Sequence, residues 1–350
     1  MERFSAPLLA QIHWTTDRGE PTPADFGDPT GEYTCLMEKA AWVDFSHQGK
    51  VALTGRECVD FFAGLTTNQV RHVSTARSLY SALLTPQGRY LWDFTLLADG
   101  GAEEQPGLLL ISEPDRIAEL VQQIAFYRLR AKIQITDRSR DFILLGLVGP
   151  EADLAIQQIF PDLPLTESTA GATFAPATGA RLWRDPRHGA FGWRLLIPVA
   201  QWITMREQLL AARPLAGFTA WESCRIQHAL PRGGNELIPN ETLPLEAGLW
   251  EMNGVDFAKG CYLGQETTAR THHRATLKKS LFQVVGAPGS TWAPGTDVVR
   301  ADGKESGKIT SHCPRTGTAL ALLRSEDVVQ HQPLSVQGAP VTINKPSWAR

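Results

Sequence analysis

Apolar residues in this chain fall into two textures, and their alternation predicts the elements. Short blocks rich in Val, Ile and Leu read as strands, and longer stretches with apolar residues three and four apart read as helices. Val51–Thr54 is expected to be a strand, followed by a turn at Gly55 and a helix through Cys58–Phe62. Tyr80–Leu84 and Arg89–Leu97 form the clearest hairpin. Thr85-Pro86-Gln87-Gly88 between them has Pro at the second and Gly at the fourth position of a type I turn. Leu108–Ile111 is expected as a buried strand, and Pro114–Tyr127 as a helix with Ile117, Leu120, Val121 and Ile124 on one face. Lys132–Thr136 and Phe142–Val148 read as strands, and Glu151–Ile159 as a helix. Trp193–Ile197 followed by Gln201–Ala211 repeats the strand-to-helix order. Hairpins mixed with single helices predict an α+β class rather than a doubly wound parallel sheet.

The two ends differ from this middle. Residues 1–31 mix Pro, Gly, Asp and Thr without periodicity and read as an irregular N-terminal extension, with ordered elements from Glu32. Near Gly286 the texture turns to Gly, Pro and short strand-like pieces, including Gly307–Thr310 and Ala319–Leu322. A small all-β domain, a barrel, is expected over about 280–350.

Composition narrows the function classes. The 350 residues are 43% hydrophobic and 20% charged, with a formal net charge of −3. That is a globular balance, and it excludes a general polycation without excluding a local basic patch. No apolar run is long enough for a membrane span. Glu2, Asp17, Glu20, Asp25 and Asp28 outnumber Arg3 and Arg18 at the N-terminus, unlike a transit peptide, and no signal-peptide core is present, so a cytoplasmic location is expected. The cysteines are Cys35, Cys58, Cys224, Cys261 and Cys313, an odd set without a CxxC pair. A disulfide framework and a local four-thiolate metal site are not indicated, and no metal is assigned. Dinucleotide, P-loop, zincin and hydrolase-elbow motifs are absent.

The stretch Lys259-Gly260-Cys261-Tyr262-Leu263-Gly264-Gln265-Glu266-Thr267 carries the chemistry. Its glycines allow tight turning or close approach, and helix formers from Gln265 to Arg274 predict a helix just beyond it. Cys261 then precedes a helix N-terminus, with Lys259 two residues away, and both features stabilise a thiolate. Local physics alone leaves open a buried structural cysteine.

Lys259 to Glu266 resembles the defining motif of the YgfZ family, part of the YgfZ/GcvT superfamily. Asp44-Phe45-Ser46-His47, Leu65-Thr66-Thr67-Asn68, Leu84 to Arg89 with Asp93, Tyr127-Arg128-Leu129-Arg130-Ala131-Lys132 and Pro244-Leu245-Glu246-Ala247 agree in order. The similarity spans roughly residues 32–325. It implies a three-lobed GcvT-like fold, with two intertwined ferredoxin-like α+β lobes over 32–275 and a C-terminal β-barrel lobe. It also implies tetrahydrofolate or a derivative in a central cavity, and a role in maturing or repairing [4Fe–4S] proteins with the iron–sulfur assembly machinery or its clients as partners. A link to tRNA modification belongs to the same expectation. On this resemblance Cys261, supported by Lys259, is the acting residue. Asp93, Arg225, Gln227, Glu246, Tyr262, Gln265 and Glu266 are the expected folate contacts.

The alternative is the related aminomethyltransferase, the glycine-cleavage T-protein. It resembles the chain at Ser223 to Leu230 but carries a glutamate where this chain has Gln227, and two aspartates where this chain has Trp92-Asp93. A glutamine cannot hold a counter-charge or accept a proton. Asp93 on its own also reads as an exposed strand acid, and Glu246 as a capping acid. The basic run Arg270, His272, His273, Arg274, Lys278 and Lys279 suits a folate tail or RNA phosphates, or a solvated helix end. Most of the ten tryptophans read as packing residues.

Overall fold

Element boundaries follow the apolar blocks closely through the middle of the chain. In the computed structural model, which describes residues 9–100, 107–164, 169–177, 179–273 and 277–349, the expected hairpin comprises Leu79–Leu84 and Tyr90–Asp99. The Gly88 N–H donates to the Thr85 carbonyl at 2.8 Å and closes the turn. The expected helix after Pro114 is a 3-10 turn, Pro114–Arg116, continued by the α-helix Ile117–Arg128, which buries Ile117, Leu120 and Ile124.

The chain divides into two units, Met1–Ser81 with Asp93–Trp221, and Ala82–Trp92 with Glu222–Arg350. The first contains an antiparallel sheet ordered Thr173–Phe174, Arg181–Arg184, Trp193–Pro198, Phe142–Val148, Ala41–Asp44. Every residue of Phe142–Val148 is buried, so this strand reads as a continuous apolar run. Its two faces do different things. Ile143, Leu145 and Leu147 join Trp193, Leu195 and Ile197 in a core with helices Ala152–Ile159 and Val199–Ala212. Leu144 and Arg194, of opposite parity, line a polar pocket instead. The second sheet is ordered Leu79–Leu84, Tyr90–Asp99, Gly107–Ser112, Gly49–Thr54, Gln134–Asp137.

The N-terminal region corrects the reading of residues 1–31 as irregular. His13–Asp17 and Glu20–Asp25 pair as an antiparallel hairpin. Arg18 and Gly19 form its two-residue loop with φ of 50° and 88°, the double-positive geometry that matches strand twist. Pro21 and Pro23 hide this signal, because proline ordinarily argues against a strand interior. The first helix, Pro29–Glu38, starts before Glu32. Asp28 caps it by accepting from the Gly31 N–H at 2.9 Å, and proline occupies its first turn.

The second unit holds a seven-stranded sheet ordered Ala339–Pro340, Leu334–Val336, Asp297–Arg300, Glu305–Cys313, Thr318–Arg324, Lys279–Val285, Thr342–Asn344. Its two end strands are separated in sequence only by Val341, so the sheet must curl until its edges nearly meet. Phe282, Val284, Ile309, Ala319, Ala321 and Leu323 fill the interior at alternating positions. Leu281, Leu320 and Cys313 point the other way and pack with Ile226 and Ala229. Among the described residues no helix is long and apolar enough to cross a membrane.

Candidate functional site

Of the five cysteines only Cys261 is exposed; Cys35 is half-buried and the others are buried. Burial pushes the Cys224 thiol up to about 12 and raises Cys35 and Cys58 as well, so these behave as packing groups. Cys261 lies in the loop that leads into the helix Gln265–His273.

That loop is fixed on both sides of the thiol. The Tyr262 N–H donates to Gln265 Oε1 at 3.1 Å, and the Gln265 N–H donates to the Tyr262 carbonyl at 3.2 Å. The Tyr262 hydroxyl is hydrogen-bonded to the Thr268 side chain, and burial raises the phenol above its ordinary value. The Lys259 ammonium stands 4.7 Å from the centroid of the Tyr262 ring, a cation–π contact. Tyr262 and Gln265 therefore shape the loop, and Glu266 is an exposed acid in the first helical turn, where the dipole favours it.

The two glycine-bearing motifs meet here. Gly264 has φ +82°, and a methyl group on it would lie 2.5 Å from the Thr85 carbonyl oxygen and 3.0 Å from the Gly88 Cα. Gly88 has φ +77°, and a methyl there would lie 2.7 Å from Thr267 Cβ. The hairpin turn Thr85–Arg89 is seated directly against the cysteine loop, with no room for a side chain on either glycine.

The structure removes Arg225 from the expected ligand set. It is fully buried in the helix Phe218–Gln227. Its Nε donates to Glu222, Nη1 to the Leu230 carbonyl and to Glu236 Oε2 at 2.9 Å, and Nη2 to Glu222 and to Ser311 Oγ at 2.8 Å. No donor remains for a ligand. Glu236, invisible to sequence reasoning because it lies in an aperiodic loop, is the centre of this network. It also accepts from the Arg232 N–H at 3.0 Å, from Thr310 Oγ1 at 3.0 Å and from the Ser311 hydroxyl. Gln227 is engaged too, donating to the Thr316 and Thr318 hydroxyls at 2.5 and 3.0 Å. Burial holds the carboxyl of Glu246, in the 3-10 turn Pro244–Ala247, above its ordinary value, against backbone hydrogen bonds from Leu243 and Lys279 and the nearby Lys279 and Arg89 charges. Glu246 ties that turn to the first barrel strand.

The basic run is broken up. His272 stacks on Phe257, with ring centroids 3.9 Å apart, and meets the edge of Trp250 at 4.6 Å. Lys279 lies beside Glu246, and Arg274 falls outside the described residues. Among the described residues no cluster of His, Cys, Asp and Glu is arranged to hold a metal ion.

Asp93 belongs to the first unit and is buried, not an exposed strand acid. The Tyr80 hydroxyl donates to its Oδ2 at 2.8 Å, and burial, reinforced by Asp93, holds the phenol well above its ordinary value, so it stays a donor. The pocket around them is lined also by Trp183, Asp185, Arg187 and Arg194 and has a volume of about 30 Å³. Asp185 pairs with Arg187 at 2.7 Å and Arg194 at 3.3 Å. Burial raises its carboxyl, but the two guanidinium groups outweigh that and hold it below its ordinary value. Burial lowers Arg194 to about 10, against the pull of Asp185. The Trp183 indole N–H and Arg194 Nη1 are buried without a hydrogen-bond partner. The hairpin brings Tyr80 to Asp93, but nothing local in the sequence brings Trp183, Asp185, Arg187 and Arg194 to them.

Comparison with known proteins bears on the family and the fold. Residues 22–256 match the family described as GCVT N-terminal domain, and residues 278–350 match the CAF17 C-terminal beta-barrel domain. The chain is 33% identical over 342 residues to the human iron-sulfur cluster assembly factor IBA57, mitochondrial, covering 92% of this chain and 87% of the relative. The mouse protein of the same name is 33% identical, covering 88% and 86%. The crystal structure of glycine cleavage system aminomethyltransferase T from Bartonella henselae superimposes with a TM-score of 0.82 at 17% identity, over 97% of this chain and 95% of that one. At that identity the likeness establishes the fold: the expected α+β, GcvT-like architecture with a C-terminal β-barrel is the one observed.

Proposed function

The chain belongs to the GCVT N-terminal domain family, carrying a CAF17-type barrel, and from that membership we propose that it supports the maturation of iron–sulfur proteins through the Cys261 thiol. The observation that carries this reading is the contrast between one exposed thiol on a doubly pinned loop and four cysteines that are buried or, for Cys35, half-buried. The names of the relatives agree with it. An exposed cysteine sulfur is a soft ligand for iron and a nucleophile toward sulfur. Cluster iron or sulfur in transit is then the substrate, and the pinned loop presents the sulfur to a client without ordering it at each encounter. We assign the chain to the YgfZ-type branch on the Lys259–Glu266 motif.

Gene deletion followed by restoration with wild type or Cys261→Ser tests this. The serine variant is expected to restore less than a tenth of a [4Fe–4S] enzyme's activity while glycine cleavage is unaffected. Failure of glycine cleavage in the deletion, repaired by the serine variant, would establish the aminomethyltransferase and sink this reading.

A reduced folate is part of the proposal. The donor set around Asp93 fits the edge of a pterin: a carboxylate to accept, and the Trp183 and Arg194 N–H groups to donate. The volume there holds one or two waters rather than a bicyclic ring, so only the edge of a ring would enter. When bound, tetrahydrofolate supplies a one-carbon carrier; the chain's own residues orient it, with Tyr80 fixing the Asp93 carboxylate. Asp93→Ala is expected to weaken tetrahydrofolate binding to the purified protein at least tenfold, about the value of one hydrogen bond to a charged group. Unchanged affinity would move the folate elsewhere.

A further inference from the structure

The segment that ends the helix Ile117–Arg128 has no role in either site, yet it is built to present side chains outward. Phe126 is 72% and Leu129 89% exposed, the two most exposed large hydrophobics among the described residues of the first unit. Leu129 adopts φ 45° and ψ −102°, a backbone state that disfavours any side chain. A leucine held there gains nothing from burial, so the fold gives no reason for leucine over glycine.

The segment is tied down at its C-terminal end. The Lys132 N–H donates to Glu57 Oε2 at 2.9 Å, and the Ala131 N–H donates to the Arg128 carbonyl at 2.7 Å. Gly55, at φ +113°, lets the Lys132 carbonyl come within 2.3 Å of where a Cβ would stand. The Phe126 ring is braced edge-on by Tyr127, with centroids 5.3 Å apart. Arg128, Arg130 and Lys132 are exposed, and among the described residues their charged groups have no ion-pair partner. Two apolar tips and three uncompensated cations are thus displayed on fixed backbone.

We infer that Phe126–Lys132 is a docking surface for a protein partner that offers an apolar cleft rimmed by carboxylates. Rigid aromatic and aliphatic anchors flanked by arginines are the composition of interface hot spots, where preorganisation lowers the cost of binding. Free cations around the anchors select an acidic rim and speed encounter. RNA fits less well: Leu129 offers no flat face for a base, and three cations contact few phosphates. A bilayer also fits less well, because the helix turns its apolar face, Ile117, Leu120 and Ile124, inward, leaving only its last turn to insert. This surface is independent of Cys261 and does not rest on the thiol reading.

The test places the photo-crosslinker p-benzoylphenylalanine at position 126 of the full chain in its host, then purifies the crosslinked protein and measures its binding directly. Leu129→Gly relieves the backbone strain while deleting the anchor. It is expected to keep or raise the melting temperature yet weaken binding at least tenfold. The double change Arg128→Glu, Arg130→Glu is expected to weaken binding at least tenfold at low salt, and acid-to-lysine changes on the partner's rim to restore it. A partner that binds Leu129→Gly as tightly as wild type, the absence of any protein crosslink, or binding of tRNA or anionic phosphatidylglycerol vesicles that depends on these same residues would each overturn the inference.

Discussion

Glu236→Ala is expected to lower the unfolding free energy by about 3–5 kcal/mol, the usual loss when one partner of a buried charge network is removed. Glu236 and Arg225 are both fully buried. Removing the carboxylate leaves one Arg225 N–H, the Arg232 backbone N–H and the Ser311 hydroxyl short of an acceptor in a dry interior. Glu222 still faces Arg225, which keeps the loss within that range rather than above it. Urea titration followed by tryptophan fluorescence measures the change. Arg225→Met combined with Glu236→Leu is expected to be less damaging than Glu236→Ala alone, because apolar replacement of both partners leaves no orphaned charge. A loss below about 1 kcal/mol for Glu236→Ala, the scale of one ordinary hydrogen bond, would mean that water enters the site and the network is not structural.

This network also shows where sequence reading stopped. Arg225 and Gln227 sit in a segment that resembles the transferase, and the resemblance made them ligands. What decides their roles is Glu236 and the barrel residues Ser311, Thr316 and Thr318, all distant in sequence and none at a readable spacing. The Asp93 pocket has the same character. Tyr80 meets Asp93 across the hairpin, but Asp185 and Arg194 come from another part of the chain and reach them only after two sheets have formed. Periodicity reports which face a residue takes, not which residue faces it.

Where the information is local, the reading transfers well. Proline and glycine in Thr85-Pro86-Gln87-Gly88 specify the turn, and alternating apolar blocks specify the strands on both sides of it. Asp28-Pro29 was equally local and was missed, because the flanking prolines of Glu20–Asp25 made the whole region look irregular. Lys259 to Glu266 lies between these cases. Its glycines promised a close approach, and the structure supplies the partner, the turn at Gly88.

Gly264→Ala is accordingly expected to disable the thiol without touching it. A non-glycine residue at φ +82° carries about 1–2 kcal/mol of strain. The added methyl would also stand 2.5 Å from a backbone oxygen of the facing turn, an overpacking that costs about 1–3 kcal/mol more. The hairpin turn is held by its own hydrogen bonds, whereas the cysteine loop is exposed on its outer side, so the loop is the part that yields. The Tyr262–Gln265 bond and the placement of Cys261 then go together. Native-state reaction with Ellman's reagent reads this directly, as a rate for the single exposed thiol that differs from wild type several-fold. Rescue of a [4Fe–4S] enzyme should fall as far as it does with Cys261→Ser, although the sulfur is still present. If the variant keeps wild-type rescue, a correctly placed thiol is not what the loop supplies, and the pinned geometry has no part in the function.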